Sequence, residues 1–255
     1  MPQRRRVLVT AGGTREPIDD VRFVANVASG ALPAALANRL LELGHDVLYL
    51  HGPQAILPGR MPLDPDLTRL GARELAATVA AWLALAEPLR QAVARGSLTL
   101  QPVTSAAEAA AQLAHHVAVW QPDAVACAMA VADFSPQRQP GKLSSQTAEL
   151  TLRMTATPKT IDLVKAIRPD VRLLGFKLLS GASEAEFQQA ARRLCAHAHA
   201  DRVFCNDMAD VARGLRRGLL LAADGRIVAR LEGGRGAEGL EALAAGLVAA
   251  WLACD

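Results

Sequence analysis

Apolar residues fall along the chain with two different periods. Arg6–Thr10 (RVLVT) and Asp46–Leu50 (DVLYL) are short apolar runs that predict buried strands. Between them lies a loop from Ala11 to Gly30. Leu32–Leu43 then repeats its apolar residues at helical spacing and stops at Gly44. Strand, glycine loop, helix and strand make a βαβ unit, which predicts parallel strands.

The alternation continues. Pro53–Pro65 reads as a surface loop and Arg73–Arg95 as an alanine-rich helix with a break near Pro88. Ser97–Val103 alternates like a strand. Ser105 caps a helix to about Val119, with Glu108 completing a capping box. Strands are expected at Asp123–Ala128, Glu149–Met154, Val171–Leu178 and Arg202–Asn206, with a long loop over Met129–Thr147. Helices are expected at Pro158–Ile167, opened by its proline, at Glu184–His197 and at Gly239–Leu252. Asp224-Gly225 marks a hairpin near 215–232, either an antiparallel edge or a separate flap. The expected fold is α/β: one domain over 1–255, with a doubly wound, mostly parallel, Rossmann-like sheet carrying helices on both faces.

Composition narrows the function classes. The formal net charge of +3 is too small to imply nucleic acid, and no apolar run is long enough to span a membrane. The apolar run after the basic N-terminus is too short for a signal-peptide core. Cys127, Cys195, Cys205 and Cys254 form no CxxC pair and no metal-ligand spacing, so a reduced, cytoplasmic protein without a metal site of its own is expected. Of the 28 Lys and Arg residues only Lys142, Lys159, Lys165 and Lys177 are lysines, gathered within 36 residues. An ammonium is a compact point charge that a planar guanidinium does not replace.

Several segments carry candidate chemistry. Gly12 and Gly13, directly after the first strand, let backbone approach a phosphate, or simply make a tight turn. Ser29 and Gly30 offer a hydroxyl and an N–H to a phosphate, or Ser29 is a helix cap. Asn26 both donates and accepts, which suits an acyl group or a turn. Ala130, Val131 and Ala132 let a substrate lie against backbone, and Asp133 suits a ribose hydroxyl, a base amine or an Asx-turn. Lys142, in a Gly/Pro-rich loop, can offset charge as pyrophosphate leaves, or be a solvated charge. Lys159 falls in an expected first helical turn, where a cation is unfavourable without an anion. Phe176 stacks on a base or belongs to the core, and Asn206 ends a further strand.

In order, TAGGTREPID at Thr10–Asp19, VRFVANVASG, AVADF at Ala130–Phe134, GKLSS, TPKTI, GFKLLS and Asn206-Asp207 resemble the phosphopantothenate–cysteine ligase family in its free-standing bacterial form. The resemblance spans roughly residues 6–211. It implies a ligase of coenzyme A biosynthesis. Such an enzyme activates the 4′-phosphopantothenate carboxylate with CTP or ATP and Mg²⁺, then passes the acyl group to the cysteine amine. It also implies a homodimer. By resemblance, Lys142 serves acyl-nucleotide formation and Asn26 the amide-forming half. Arg22, Ala130, Val131 and Ala132 join Asn26 around the substrate. Gly12, Gly13, Ser29, Gly30, Asp133, Phe176, Lys177 and Asn206 hold the nucleotide. Pro33 stands where relatives often have glycine. In the helix before Asn206, Leu194 and Ala198 stand where the fused form has lysines. A Rossmann-type NAD(P)-dependent oxidoreductase is the alternative, disfavoured by the missing GxGxxG and by a lone Tyr49 with no YxxxK. A non-catalytic nucleotide-binding relative is the third reading.

Overall fold

The computed structural model describes residues 3–59, 71–144 and 149–252. Cys254, Ser145 and part of the Pro53–Pro65 loop lie outside those residues. Six strands run parallel: β1 (Arg6–Ala11), β4 (Asp46–His51), β5 (Leu98–Pro102), β6 (Ala124–Cys127), β9 (Arg172–Leu179) and β10 (Arg202–Asp207). β11 (Leu215–Ala222) and β12 (Ile227–Arg235) add an antiparallel edge, giving the order β12-β11-β10-β9-β6-β1-β4-β5. The late hairpin therefore extends the sheet. The other strands form two small hairpins: β2 (Arg15–Pro17) with β3 (Phe23–Ala25), and β7 (Phe134–Pro136) with β8 (Met154–Ala156).

The central strands are apolar on both faces because both faces are covered. Val7 and Val9 point into one core with Leu36, Leu40, Tyr49 and Trp251, while Leu8 points into the other with Leu50, Leu113, Val125 and Leu173. The first core is closed by α1 (Ala31–Glu42), α2 (Ala72–Ala94) and α7 (Gly236–Leu252). The second is closed by α3 (Ala106–Val119), α4 (Asp162–Ile167) and α5 (Glu184–Ala198). A short α6 (Met208–Ala212) follows β10. Among the described residues, no helix is long and apolar enough to cross a membrane.

From β1 the chain moves outward to β4 and β5, then returns to β6 on the other side of β1. At such a reversal the connections leave in opposite directions and open a crevice at the strand C-termini.

Local departures from expectation have local causes. The strands β2, β3 and β7 lie inside stretches read as loops, because strands of three residues carry no readable period. The strand expected at Glu149–Met154 survives only from Met154. α2 runs through Pro88 unbroken. α4 starts at Asp162, so Lys159 stands ahead of the helix and not in its first turn. At Ser105 the hydroxyl accepts the Glu108 N–H as expected, but the Glu108 carboxylate reaches back to the N–H of Thr104.

Candidate active site

The crevice is built first from backbone. Gly13 bridges Ala130 in parallel, Ala130 N–H donates to Gly12 C=O at 2.8 Å, and Thr14 N–H donates to Ala130 C=O. Two buried threonines finish the join. Thr10 Oγ1 accepts from Met129 N–H and Thr14 Oγ1 from Ala132 N–H, each at 3.0 Å. The segment 129–132 is thereby held against the end of β1. Gly52, after β4, closes the other side so tightly that a Cβ there would lie 2.1 Å from Gly13 O. Neither Gly52 nor the threonines is marked by local sequence, since their role depends on chain brought in from more than 30 residues away.

Asn26 faces this segment. Its Nδ2 lies 3.3 Å from the carbonyl oxygens of both Ala130 and Val131, which fixes the amide's orientation and leaves Oδ1 as its remaining hydrogen-bonding atom. Asn26 is therefore more than a turn residue. Gly30, not Ser29, is the N-cap of α1, with φ 72° and no side-chain cap. The Ser29 hydroxyl instead accepts the Ala31 N–H at 3.3 Å. The first turn of α1 carries no acidic residue, and Pro33 offers no N–H there.

A cleft of about 240 Å³ opens beside this junction. Ala130, Val131, Ala132, Asp133, Phe176 and Lys177 line it together with Lys159 and His197. Asp133 is exposed, and its Oδ1 takes Lys159 Nζ at 2.5 Å. Thr157 N–H donates to Asp133 C=O, and the Thr157 hydroxyl donates to Ala132 C=O, so the TPK turn holds the Asp133 segment from the far side. The buried Thr160 hydroxyl, also on the cleft, has no hydrogen-bond partner among the described residues. Phe176 lines the cleft and packs on Phe204 with ring centroids 5.8 Å apart. His197 Nδ1 pairs with Asp162 Oδ1 at 2.8 Å. Lys159, Thr160 and His197 come together only through the fold, which brings the turn before α4 and the end of α5 to this edge.

The remaining candidates fall elsewhere. Lys142 is exposed in the loop after Gly141 and does not line the cleft. The Arg22 guanidinium pairs with Asp19 at 2.6 Å and donates to Leu143 C=O at 2.8 Å. Asn206 does not join the Asp133 cleft. It lines a second hollow of about 360 Å³ with Asp207, Arg213 and Arg230.

Burial pushes the Cys127 and Cys205 thiols up to about 12 and Cys195 to about 11, away from the thiolate form.

Fold and cleft together define a doubly wound α/β domain with a ligand-sized crevice at its strand-order reversal. The chain belongs to the family described as "DNA/pantothenate metabolism flavoprotein C-terminal domain", whose model matches residues 3–62 and 71–219. It is 28% identical over 204 residues to the coenzyme A biosynthesis bifunctional protein CoaBC of Thermococcus kodakarensis, covering 80% of this chain and 41% of the relative. The chain thus spans well under two thirds of that relative's length. It is 32% identical over 203 residues to the phosphopantothenate–cysteine ligase of Homo sapiens, covering 69% of this chain and 64% of the human protein. Among solved structures, the DNA/pantothenate metabolism flavoprotein of Streptococcus pneumoniae superposes with a TM-score of 0.72 at 22% identity, over 97% of this chain and 99% of that one.

Proposed function

We propose that this chain joins 4′-phosphopantothenate to L-cysteine through an acyl-nucleotide, a step of coenzyme A biosynthesis. One observation carries the reading. Segments far apart in sequence are hydrogen-bonded around one crevice: Asn26 to Ala130 across 104 positions, and Thr10 to Met129 across 119. The human relative's name gives the substrates by which that crevice is read.

In this reading a carboxylate oxygen of phosphopantothenate attacks the α-phosphorus of CTP or ATP. The α–β phosphoanhydride bond breaks and pyrophosphate leaves. Lys142 offsets the charge that develops on the leaving group, and Gly12, Gly13, Ser29 and Gly30 present N–H and hydroxyl donors to the phosphates. Asp133, Phe176 and Lys177 hold the nucleoside. The cysteine amine then attacks the acyl carbon, the nucleoside monophosphate leaves, and the amine gives up a proton. With Nδ2 committed to two carbonyls, Asn26 offers Oδ1 as an acceptor for that amine. In this reading Arg22, fixed by Asp19, serves the substrate.

Magnesium enters as part of the co-substrate. Among the described residues no three His, Cys, Asp or Glu side chains gather as a metal site, and the phosphate oxygens are its natural ligands. The reading includes a cytoplasmic homodimer. The exposed apolar side chains Val21, Phe23, Phe134 and Met154 on the two small hairpins are those a second copy would cover. The test is product analysis: phosphopantothenate, cysteine, Mg²⁺ and CTP or ATP should yield phosphopantothenoylcysteine and the nucleoside monophosphate in equal amounts. A nucleoside diphosphate instead would reject the acyl-nucleotide route.

A further inference from the structure

Asp19 is a buried carboxylate with every lone pair engaged. Its side chain has 0% exposure. Oδ1 accepts the backbone N–H of Val21 at 2.9 Å and of Arg22 at 2.7 Å. Oδ2 accepts Arg22 Nε at 2.9 Å, Arg22 Nη2 at 2.6 Å and the Leu143 N–H at 3.0 Å. Arg22 Nη2 also donates to Leu143 C=O at 2.8 Å. Leu143 is therefore gripped at both its N–H and its C=O by one ion pair from the 19–22 turn. The same turn holds the residues before Lys142: Asp20 N–H donates to Gly141 C=O at 3.1 Å, and Gln139 N–H donates to Ile18 C=O at 2.8 Å.

These bonds flank Lys142 on both sides and leave its side chain alone. A lysine in an exposed loop is free in two ways, through its four-carbon stem and through the loop's own backbone. The grip at 141 and 143 removes the second freedom. It uses charge-assisted bonds to a carboxylate that has no exposed surface. The 19–22 turn continues directly into β3 and Asn26, so one short arm carries Asn26 and fixes the loop that carries Lys142.

We propose that Asp19 is a positioning residue for Lys142, setting where that ammonium stands relative to the crevice. Its kinetic consequence rests on the ligase reading; its structural consequence does not. Asp19→Asn keeps the size of the side chain but gives up its charge and turns one oxygen into a donor facing Arg22 and the Leu143 N–H.

The test uses the full chain in four forms: wild type, Asp19→Asn, Lys142→Gln and the double variant. Amide hydrogen exchange is followed over residues 139–144, with β1 as internal reference. Exchange there should quicken by about tenfold or more in Asp19→Asn while β1 is unchanged. Pyrophosphate release, measured in single turnover so that residual rates can be read, should slow roughly tenfold in Asp19→Asn, with KM for the nucleotide within about threefold. In the double variant the Asp19 change should add little to Lys142→Gln, because both act through one ammonium.

Unchanged exchange over 139–144 would overturn the proposal. So would a double variant slower than Lys142→Gln by the whole Asp19 factor, which would give Asp19 a separate role. If Asp19→Asn does not fold, Asp19→Glu keeps the charge, but its longer stem carries the carboxylate off the Leu143 N–H. It should show the same faster exchange and slower release, and wild-type values in it would overturn the proposal. If wild type releases no pyrophosphate with either nucleotide, the ligase reading fails by itself. The exchange experiment then decides alone whether Asp19 holds the loop.

Discussion

Lys159 Nζ stands 2.5 Å from Asp133 Oδ1, so the carboxylate that faces the cleft already has a cation beside it. Both side chains are more than half exposed, and an exposed pair of this kind adds little to stability. Its value lies in occupancy: a ribose hydroxyl or base amine that reaches Asp133 must share that carboxylate with Lys159.

Asp133→Ala should therefore leave the protein as stable as wild type, within about 0.5 kcal/mol, and raise the nucleotide KM by roughly tenfold. Thermal unfolding and steady-state pyrophosphate release measure the two effects separately. A large loss of stability with no change in KM would make Asp133 a structural residue.

Asn26→Asp places a carboxylate where Nδ2 donated to the carbonyls of Ala130 and Val131. Oxygen then faces oxygen, and Asn26 loses both its grip on the segment and its fixed orientation. Amide formation should fall by about 10²-fold, an effect of the size seen when one oriented polar group is lost. Pyrophosphate release should fall less, so the acyl-nucleotide should accumulate. Mass spectrometry of a quenched reaction would detect it, and equal losses in both half-reactions would count against this role.

Gly52→Ala puts a methyl group 2.1 Å from the Gly13 carbonyl oxygen, and both partners are backbone. The end of β4 must move away from β1, at about 1–3 kcal/mol, the usual cost of overpacking. Gly246→Ala in α7 is the control, since its new Cβ meets only the flexible Leu231 side chain at 3.3 Å. Denaturant titration should show Gly52→Ala destabilised and Gly246→Ala at or above wild type.

The pH dependence of stability should carry the signature of Asp19. The Arg22 guanidinium, with the backbone N–H groups of Val21, Leu143 and Arg22, holds its carboxyl well below the usual carboxylate range. A carboxyl depressed on folding favours the native state in full above its unfolded value of about 3.9. That contribution is lost as pH falls from there through the folded value. The stability gap between wild type and Asp19→Asn should thus be full at pH 7 and shrink below about pH 4. A gap that stays constant down to strongly acidic pH would show that Asp19 acts by shape and not by charge.

Much of the fold was legible because buried parallel strands are uniformly apolar and the helices between them are not. Leu8 and Val9 announce a strand covered on both faces, and Leu36 and Leu40 a helix lying on it. The two small hairpins were illegible, since three residues such as Arg15–Pro17 cannot display a period and are fixed by their neighbours. Site residues followed the same rule. Gly12, Gly13 and Asp133 stand at strand ends or just beyond them, where ligands gather. Thr10, Thr14, Gly52 and Lys159 owe their roles to contacts across the sheet. Asp19 carries no local mark of its role, since its partner Leu143 is 124 positions away. Asn206 lies within β10 near its end, but β10 is two strands from β6, so it lines another hollow.

The most direct measurement is pyrophosphate release from the purified protein given Mg²⁺ and CTP or ATP, with 4′-phosphopantothenate and cysteine added or withheld. The expected result is release that requires phosphopantothenate, begins without cysteine, and falls by about 10²-fold or more in Lys142→Gln. Release independent of phosphopantothenate, or none with either nucleotide from a folded protein, would contradict the ligase reading.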